Sequence, residues 1–322
     1  MKLSGLCLLI PNALLLLACK PSEPELAKTP LWELQEAQGL ELPNHTLGRD
    51  ASAKQREAGK TLFFSGRDLE NAQSVYFNCI DCHRVSREDP LLSDPDPEQR
   101  LAAALPKQAR GSLLPGSSMH GVVNREHFYN GVYQKKYGGL VQRASKDLVE
   151  AVQVCAEFCS QGRRYDEAEL EAMMAYLWSL QLTLGDLLSP EELASLSKLD
   201  APLESKVLRP ESLNARYLKA SPASEYVPPE TPLVGNPQRG KAVFEQSCVS
   251  CHQADRNSPM YELDIQRLHQ GFENGKILDV VRKGIDPDPG RKDDYMPYYT
   301  PERLSEQQYA DMQAYIAKEA NK

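Results

Sequence analysis

Two short stretches constrain this chain more than any others: Cys79-Ile80-Asp81-Cys82-His83 and Cys248-Val249-Ser250-Cys251-His252. In each, two cysteines stand three positions apart and a histidine follows the second. With 8 Cys and 6 His in 322 residues, about 0.004 C-x-x-C-H strings are expected by chance, so two copies carry meaning. The spacing puts two thiols within reach of the two vinyl groups of one haem, and the adjoining imidazole can turn onto the iron. A zinc site would also use C-x-x-C, but it needs four converging ligands, and a His placed directly after each second Cys suits haem better. A thioredoxin-like dithiol belongs in a strand-alternating βαβ pattern, which neither copy has. Disulfides would leave both histidines without a role. Two covalently bound haem c groups are therefore expected, with His83 and His252 as proximal ligands.

The rest of the chain reads as mainly α. Its 23 prolines and poor strand periodicity favour helices joined by long loops, and 322 residues suggest two domains. The two halves repeat. Gly59-Lys60 followed by Leu62 and Phe63 is echoed at Gly240-Lys241-Ala242-Val243-Phe244, and Ala175-Tyr176-Leu177 by Ala314-Tyr315-Ile316. From Gly to the first motif Cys is 20 residues in the first copy and 8 in the second, so the first carries an insertion near residues 65–73. Asp166-x-x-Glu169 and Ser305-x-x-Gln308 predict capped helices, with Leu170, Met173, Met174 and Leu177 inward in one and Tyr309, Met312 and Ile316 in the other. Ser145 can cap a helix ending at Gly162, on which Leu148, Val152, Cys155 and Cys159 share a face. Residues 89–115 show no periodicity and are expected to be loop.

Lys2 followed by the apolar run Leu6 to Leu17 has the layout of a secretory signal and is short for a membrane span. It ends in Leu16-Leu17-Ala18-Cys19, which resembles a bacterial lipobox, so Cys19 would become the lipidated first residue of an exported protein facing the periplasm or cell exterior. The domain plan expected is a signal peptide at 1–18, a helix-free tether at 19–45, a first domain at 46–182, a linker at 183–235 that opens with a helical run at Ser189–Leu193, and a second domain at 236–322.

The second domain resembles a class I cytochrome c: a G-K-x-x-F helix, C-x-x-C-H, a Met-Pro in a loop and a terminal helix with an aromatic, all in order from Asn236 to Lys318. The resemblance implies helices wrapped round one haem, with the first and last crossing near Gly240, Phe244 and Tyr315. The first domain matches at both ends but has no Met-Pro. Its segment Leu148 to Leu180 is similar to the cysteine-bearing helix of thiosulfate dehydrogenase and Sox-type di-haem cytochromes, in which a Cys sits opposite the proximal His. Together these describe two cytochrome c-like helical domains, each round one covalently bound haem.

For the second haem, Met296 lies 44 residues after His252 and 9 before Ser305, where the resemblance places a thioether ligand; Met260 and His269 are alternates. For the first, Cys155 lies 21 residues before Tyr176 as Met296 lies 19 before Tyr315. Cys155, Cys159, Met119, His120 and His127 all remain candidates, as does a plain structural role for the two cysteines, since Cys is often buried without function. A thiolate would lower the iron's reduction potential relative to Met. Arg163, Arg164, Arg282 and Lys283 read as surface charges, one pair of which could meet a haem propionate.

A net charge of −8 argues against nucleic acid and favours a basic redox partner: an oxidase, a reductase or a respiratory complex. Two functions are expected to compete. One is a membrane-anchored relay passing electrons between two haems and a respiratory partner. The other is an enzyme with the first haem as reaction centre, oxidising a sulfur compound or reducing peroxide.

Overall fold

The computed structural model describes residues 22–37, 46–88, 95–107, 111, 113–129, 131–198, 223–252, 265–288 and 295–322. Cys19 and Met260 lie outside them. Among the described residues the regular structure is helical, with isolated bridges at Pro30–Thr183, Arg67–Gln73 and Ile285–Met296 and no strands.

Two helix pairs organise the molecule. The helix Ala53–Ser65 starts at Ser52, whose hydroxyl accepts from the Gln55 amide at 3.2 Å while the Gln55 side chain accepts from the Ser52 amide at 2.9 Å. This reciprocal cap satisfies two otherwise orphaned donors. The helix packs across Glu167–Trp178, which opens on the Asp166–Glu169 box. Contact is closest at Gly59, where an added Cβ would lie 1.8 Å from the Ala172 carbonyl oxygen. In the C-terminal half, Pro237–Ser247 packs across Glu306–Ala320 in the same way, and a Cβ on Gly240 would lie 1.8 Å from the Asp311 carbonyl oxygen. Aromatic pairs flank both crossings: Phe63 with Tyr176 at 5.4 Å and Phe244 with Tyr315 at 5.9 Å. The inward stripes expected from sequence are buried at Met173, Met174 and Leu177, and at Tyr309, Met312 and Ile316.

Three stretches differ from expectation. Residues 22–37 form two short helices, Glu23–Ala27 and Leu31–Ala37, where a helix-free tether was expected. Leu26, Leu31 and Leu34 are buried against Leu182, Leu184 and Leu193, the latter in the helix Pro190–Lys198 that the Ser189–Leu193 run predicts. Pro24 falls in the first turn of its helix and Pro30 just before the next, positions where the missing N–H costs nothing. Within the stretch expected as loop, Asp96 caps a helix Pro97–Ala104. Its Leu101, together with Leu113, is buried in the core of the C-terminal pair. Gln308 donates to the Pro97 carbonyl at 2.7 Å, and Leu113 N–H to the Gln246 carbonyl at 3.2 Å. The segment expected inside the first domain thus packs into the second. Finally, Asp147 rather than Ser145 caps the helix Leu148–Val154. The backbone then widens into a π-turn at Cys155–Cys159, closed by Ser160 N–H to the Cys155 carbonyl at 2.7 Å; such turns recur at functional sites.

Asp186 ties down the turn whose Leu184 N–H bonds to the Thr29 carbonyl of the N-terminal segment at 3.0 Å. It accepts from Thr183 and stands 3.2 Å from His120. Burial pushes its carboxyl up, but these bonds together win and hold it down at about 2. Its contribution to stability is therefore complete above the ordinary carboxyl value and lost as pH falls through the folded one. Amide exchange at Leu31, bonded to the Leu182 carbonyl at 2.9 Å, is expected to accelerate between pH 4 and 2, and Asp186→Asn to abolish that acid step. Gly240→Ala is expected to lower stability by about 1–3 kcal/mol, because a carbonyl rather than a flexible side chain must move; urea denaturation checks it.

Candidate cofactor site

Each motif closes the same local turn. Cys79–Cys82 is one helical turn at whose start the Asn78 N–H donates to the Asp81 carboxylate at 2.9 Å, with His83 N–H on the Cys79 carbonyl at 2.9 Å; His252 N–H meets the Cys248 carbonyl at 3.0 Å. In the first motif His83 Nδ1 lies 2.8 Å from the Ser117 carbonyl oxygen. A carbonyl only accepts, so Nδ1 carries the proton and Nε2 keeps the lone pair an iron would need. The strap Pro115–Met119 runs along this side. Gly116 N–H bonds to the Cys82 carbonyl at 3.0 Å and Met119 N–H to the Arg84 carbonyl at 2.7 Å. A Cβ on Gly116 would strike the His83 ring at 2.3 Å, so the strap can lie flat on the imidazole only with glycine there.

Beyond His83 opens a cavity with about 1430 Å³ of empty space, part of it open to solvent. Cys79, Cys82 and His83 line it, and so do Leu148, Val152, Cys155 and Cys159, the four positions placed on one helical face by their spacing. Hydrogen bonding from Cys159 outweighs burial and holds the Cys155 thiol well below the ordinary thiol range. The bond with Cys155 and burial push Cys159 well above it. Met119 also lines this cavity, from the strap beside His83.

The second cavity, with about 450 Å³ of empty space, is lined by Cys248, Cys251, His252 and Met296. Met296 is held there by paired backbone bonds to Ile285, at 2.8 and 3.3 Å, and by Tyr299, whose hydroxyl donates to the Ser247 carbonyl at 2.9 Å. Met312 is buried in the helical stripe behind the motif, its sulfur 3.8 Å from that of Cys248. His120, His127 and His269 line neither cavity.

The two cavities adjoin. Cys82 lines both, and Cys251 Sγ lies 3.6 Å from the Asp81 carbonyl oxygen, next to Cys82. Nothing in the sequence pattern signalled this contact.

Two arginines on the first cavity were also invisible in sequence. Arg303, 3% exposed, donates to the Leu114 carbonyl at 2.9 and 2.7 Å and the Gly116 carbonyl at 2.8 Å, and pairs with buried Glu88 at 3.0 Å. Arg125, 5% exposed, donates to Ser117 Oγ at 3.1 Å, and its Nε has no partner. Burial draws its pKa down to about 10, against the opposing pull of Glu88. Two guanidiniums and one carboxylate leave this wall positive, which suits an acidic propionate. With the free Nε of Arg125, the protonated Nδ1 of His83 and the Gly116 cradle, the residues of the first cavity fit a haem. The arginines singled out from sequence lie elsewhere. Arg163 and Arg164 are surface groups paired with Glu169 and Glu150. Arg282 was expected on the surface but is buried, donating to the Tyr299 and Leu304 carbonyls and to Glu306; Lys283 is exposed.

Residues 235–316, about a quarter of the chain, match the family described as cytochrome c oxidase, cbb3-type, subunit III. No curated protein matches the chain. The C-terminal region is a cytochrome c domain. Such a domain carries covalently bound haem c and transfers electrons with a redox partner.

Removing one member of a buried ion pair strands the other and costs about 3–5 kcal/mol. Arg303→Met is expected to destabilise the protein by that order in urea denaturation, because Glu88 and the Leu114 and Gly116 carbonyls lose their donor together.

Proposed function

We propose that the chain is a di-haem c-type cytochrome that relays electrons between its two haems and a respiratory redox partner. It is exported, lipid-anchored through Cys19 and exposed to the periplasm or cell exterior. In this reading residues 46–182 and 236–322 are two haem-binding units, with the helix Pro97–Ala104 and Leu113 lodged in the second. When bound, each haem supplies a one-electron Fe(III)/Fe(II) couple.

The observation that carries the proposal is the arrangement of facing ligands. His83 and Cys155 both line the first cavity, while His252 and Met296 share the second. Met119 sits on the strap bonded beside His83, which favours Cys155 over it as the group opposite the imidazole. Thiolate donation and its negative charge favour the oxidised state of the first iron, and thioether ligation raises the second potential. Electrons would therefore run downhill from the first site to the second. The adjoining motifs supply a short path, because Cys251 packs against the Asp81 carbonyl next to Cys82. A second reading, oxidation of a sulfur compound at the first site, is favoured by one observation: a second thiol, Cys159, stands beside Cys155 in the cavity.

Pyridine haemochrome assay is expected to return two haems per chain; one or none overturns the proposal. Met296→Ala is expected to lower the potential of the second haem and open its iron to carbon monoxide, and an unchanged redox titration would show the Met assignment wrong. Cys155→Ala is expected to raise the first potential and change its low-spin EPR signal. Turnover of thiosulfate by the wild type, lost in Cys155→Ala, selects the enzyme reading over the simple relay.

A further inference from the structure

The chain has very little slack between Cys19 and the folded body. Two residues, Lys20 and Pro21, separate Cys19 from Ser22. At Ser22 the backbone is already fixed: its N–H and its hydroxyl both donate to the Glu25 carboxylate at 2.8 Å and open the helix Glu23–Ala27. That helix is held on the body from several sides. Leu26 is buried with Leu184 and Leu193. Leu31 N–H bonds to the Leu182 carbonyl at 2.9 Å, and Leu184 N–H returns to the Thr29 carbonyl at 3.0 Å. A Cβ on Gly185 would lie 2.8 Å from the Ala27 carbonyl oxygen, so the two segments meet backbone to backbone. The layer is joined in turn to the segment that follows the His83 strap, through Leu182 N–H on the Asn124 side chain at 2.8 Å and Gly121 N–H on the Leu180 carbonyl at 2.7 Å. Whatever orients the layer therefore orients the first site.

We infer that the face formed by the helices Glu23–Ala27 and Pro190–Lys198 is a bilayer-docking surface that sets the protein on the membrane in one orientation. The inference rests on the lipid-anchored reading above. Three residue steps from Cys19 to Ser22 span at most about 11 Å, and a headgroup layer is about 5–8 Å deep. A lipid on Cys19 thus holds the start of the helix at the headgroups, with no free tether between. The outer side of the layer suits that place. Glu23, Glu25 and Lys28 on one helix and Glu191, Glu192 and Lys198 on the other are exposed; charged groups rest among polar headgroups and are kept out of the hydrocarbon by their desolvation cost. A partner embedded in the same bilayer then meets the sides of the molecule, and the underside is closed to soluble partners.

The test is lysine acetylation read by mass spectrometry. The lipidated full chain on phosphatidylcholine vesicles is compared with the same chain exported without lipid, beginning at Lys20, beside the same vesicles. Lys28 and Lys198 are expected to react several-fold more slowly in the bound protein. Lys241 and Lys283, 60% and 72% exposed on helices of the C-terminal half, are expected to react alike in both. Inserting about ten Gly and Ser residues after Lys20 adds roughly 17 Å of slack; it is expected to keep vesicle binding and to abolish the protection. Lys28 and Lys198 as reactive as in the unlipidated chain, in a protein that floats with the vesicles, overturn the docking and leave the lipid anchor intact. Protection that survives the insertion overturns the short connection as its cause. A full-length chain that does not float with vesicles overturns the lipid-anchored reading, and the docking with it.

Discussion

Two helix crossings hold the molecule together, and each is so close that its central residue has no side chain. At Gly59 and Gly240 the backbone of one helix rests on a carbonyl of the other, nearer than ordinary ridge-and-groove packing allows. Flanking aromatic pairs add about 0.5–1.5 kcal/mol each beyond their burial. The consequence reaches the site directly. Phe63, Met173 and Leu177, from the N-terminal crossing, form part of the first cavity wall. In the C-terminal half, Ser247 at the end of the opening helix holds Tyr299 beside the second motif.

The two halves are not separate beads. The helix Pro97–Ala104 and Leu113 fill the C-terminal core, while Tyr295, Pro297, Thr300 and Arg303 wall the first cavity. Arg303 is the main tie. It reaches back to three carbonyl bonds on the strap that also holds His83. The histidine's orientation, set by Ser117, therefore depends on a side chain more than two hundred positions away in sequence. This exchange brings the two motifs together at Asp81 and Cys251. For electron transfer the matter is one of distance: adjoining attachment points serve a relay far better than two cofactors at opposite ends of independent domains.

The cavities also differ in character. The first is the larger, with two guanidiniums and a thiol pair; the second is narrow and offers a thioether. The inequality arises in the backbone as well as in residue choice. A π-turn presents Cys155 and Cys159 together, whereas a short backbone pairing with Ile285 presents Met296.

Both motifs, the capping boxes at Asp166 and Ser305, the inward stripes and the shared helical face of Leu148, Val152, Cys155 and Cys159 were legible in the sequence. Each depends on local spacing, through helical periodicity and cap chemistry, which a sequence displays directly. Four things were not legible: the folded stretch at 22–37, the docking of the helix Pro97–Ala104 and of Leu113, the buried role of Arg282, and the arginine wall of Arg125 and Arg303. In each, short or isolated signals acquire meaning only from a distant partner. Leu26 needs Leu182 and Leu193, Leu101 needs the C-terminal helices, and Arg303 needs Glu88 and the Leu114 carbonyl. The sequence by itself determined that this chain is helical and carries two C-x-x-C-H motifs, because motif spacing and helix periodicity are written over a few residues. Only the tertiary structure decided that the two sites share a wall, because contact between positions far apart in sequence is settled by packing.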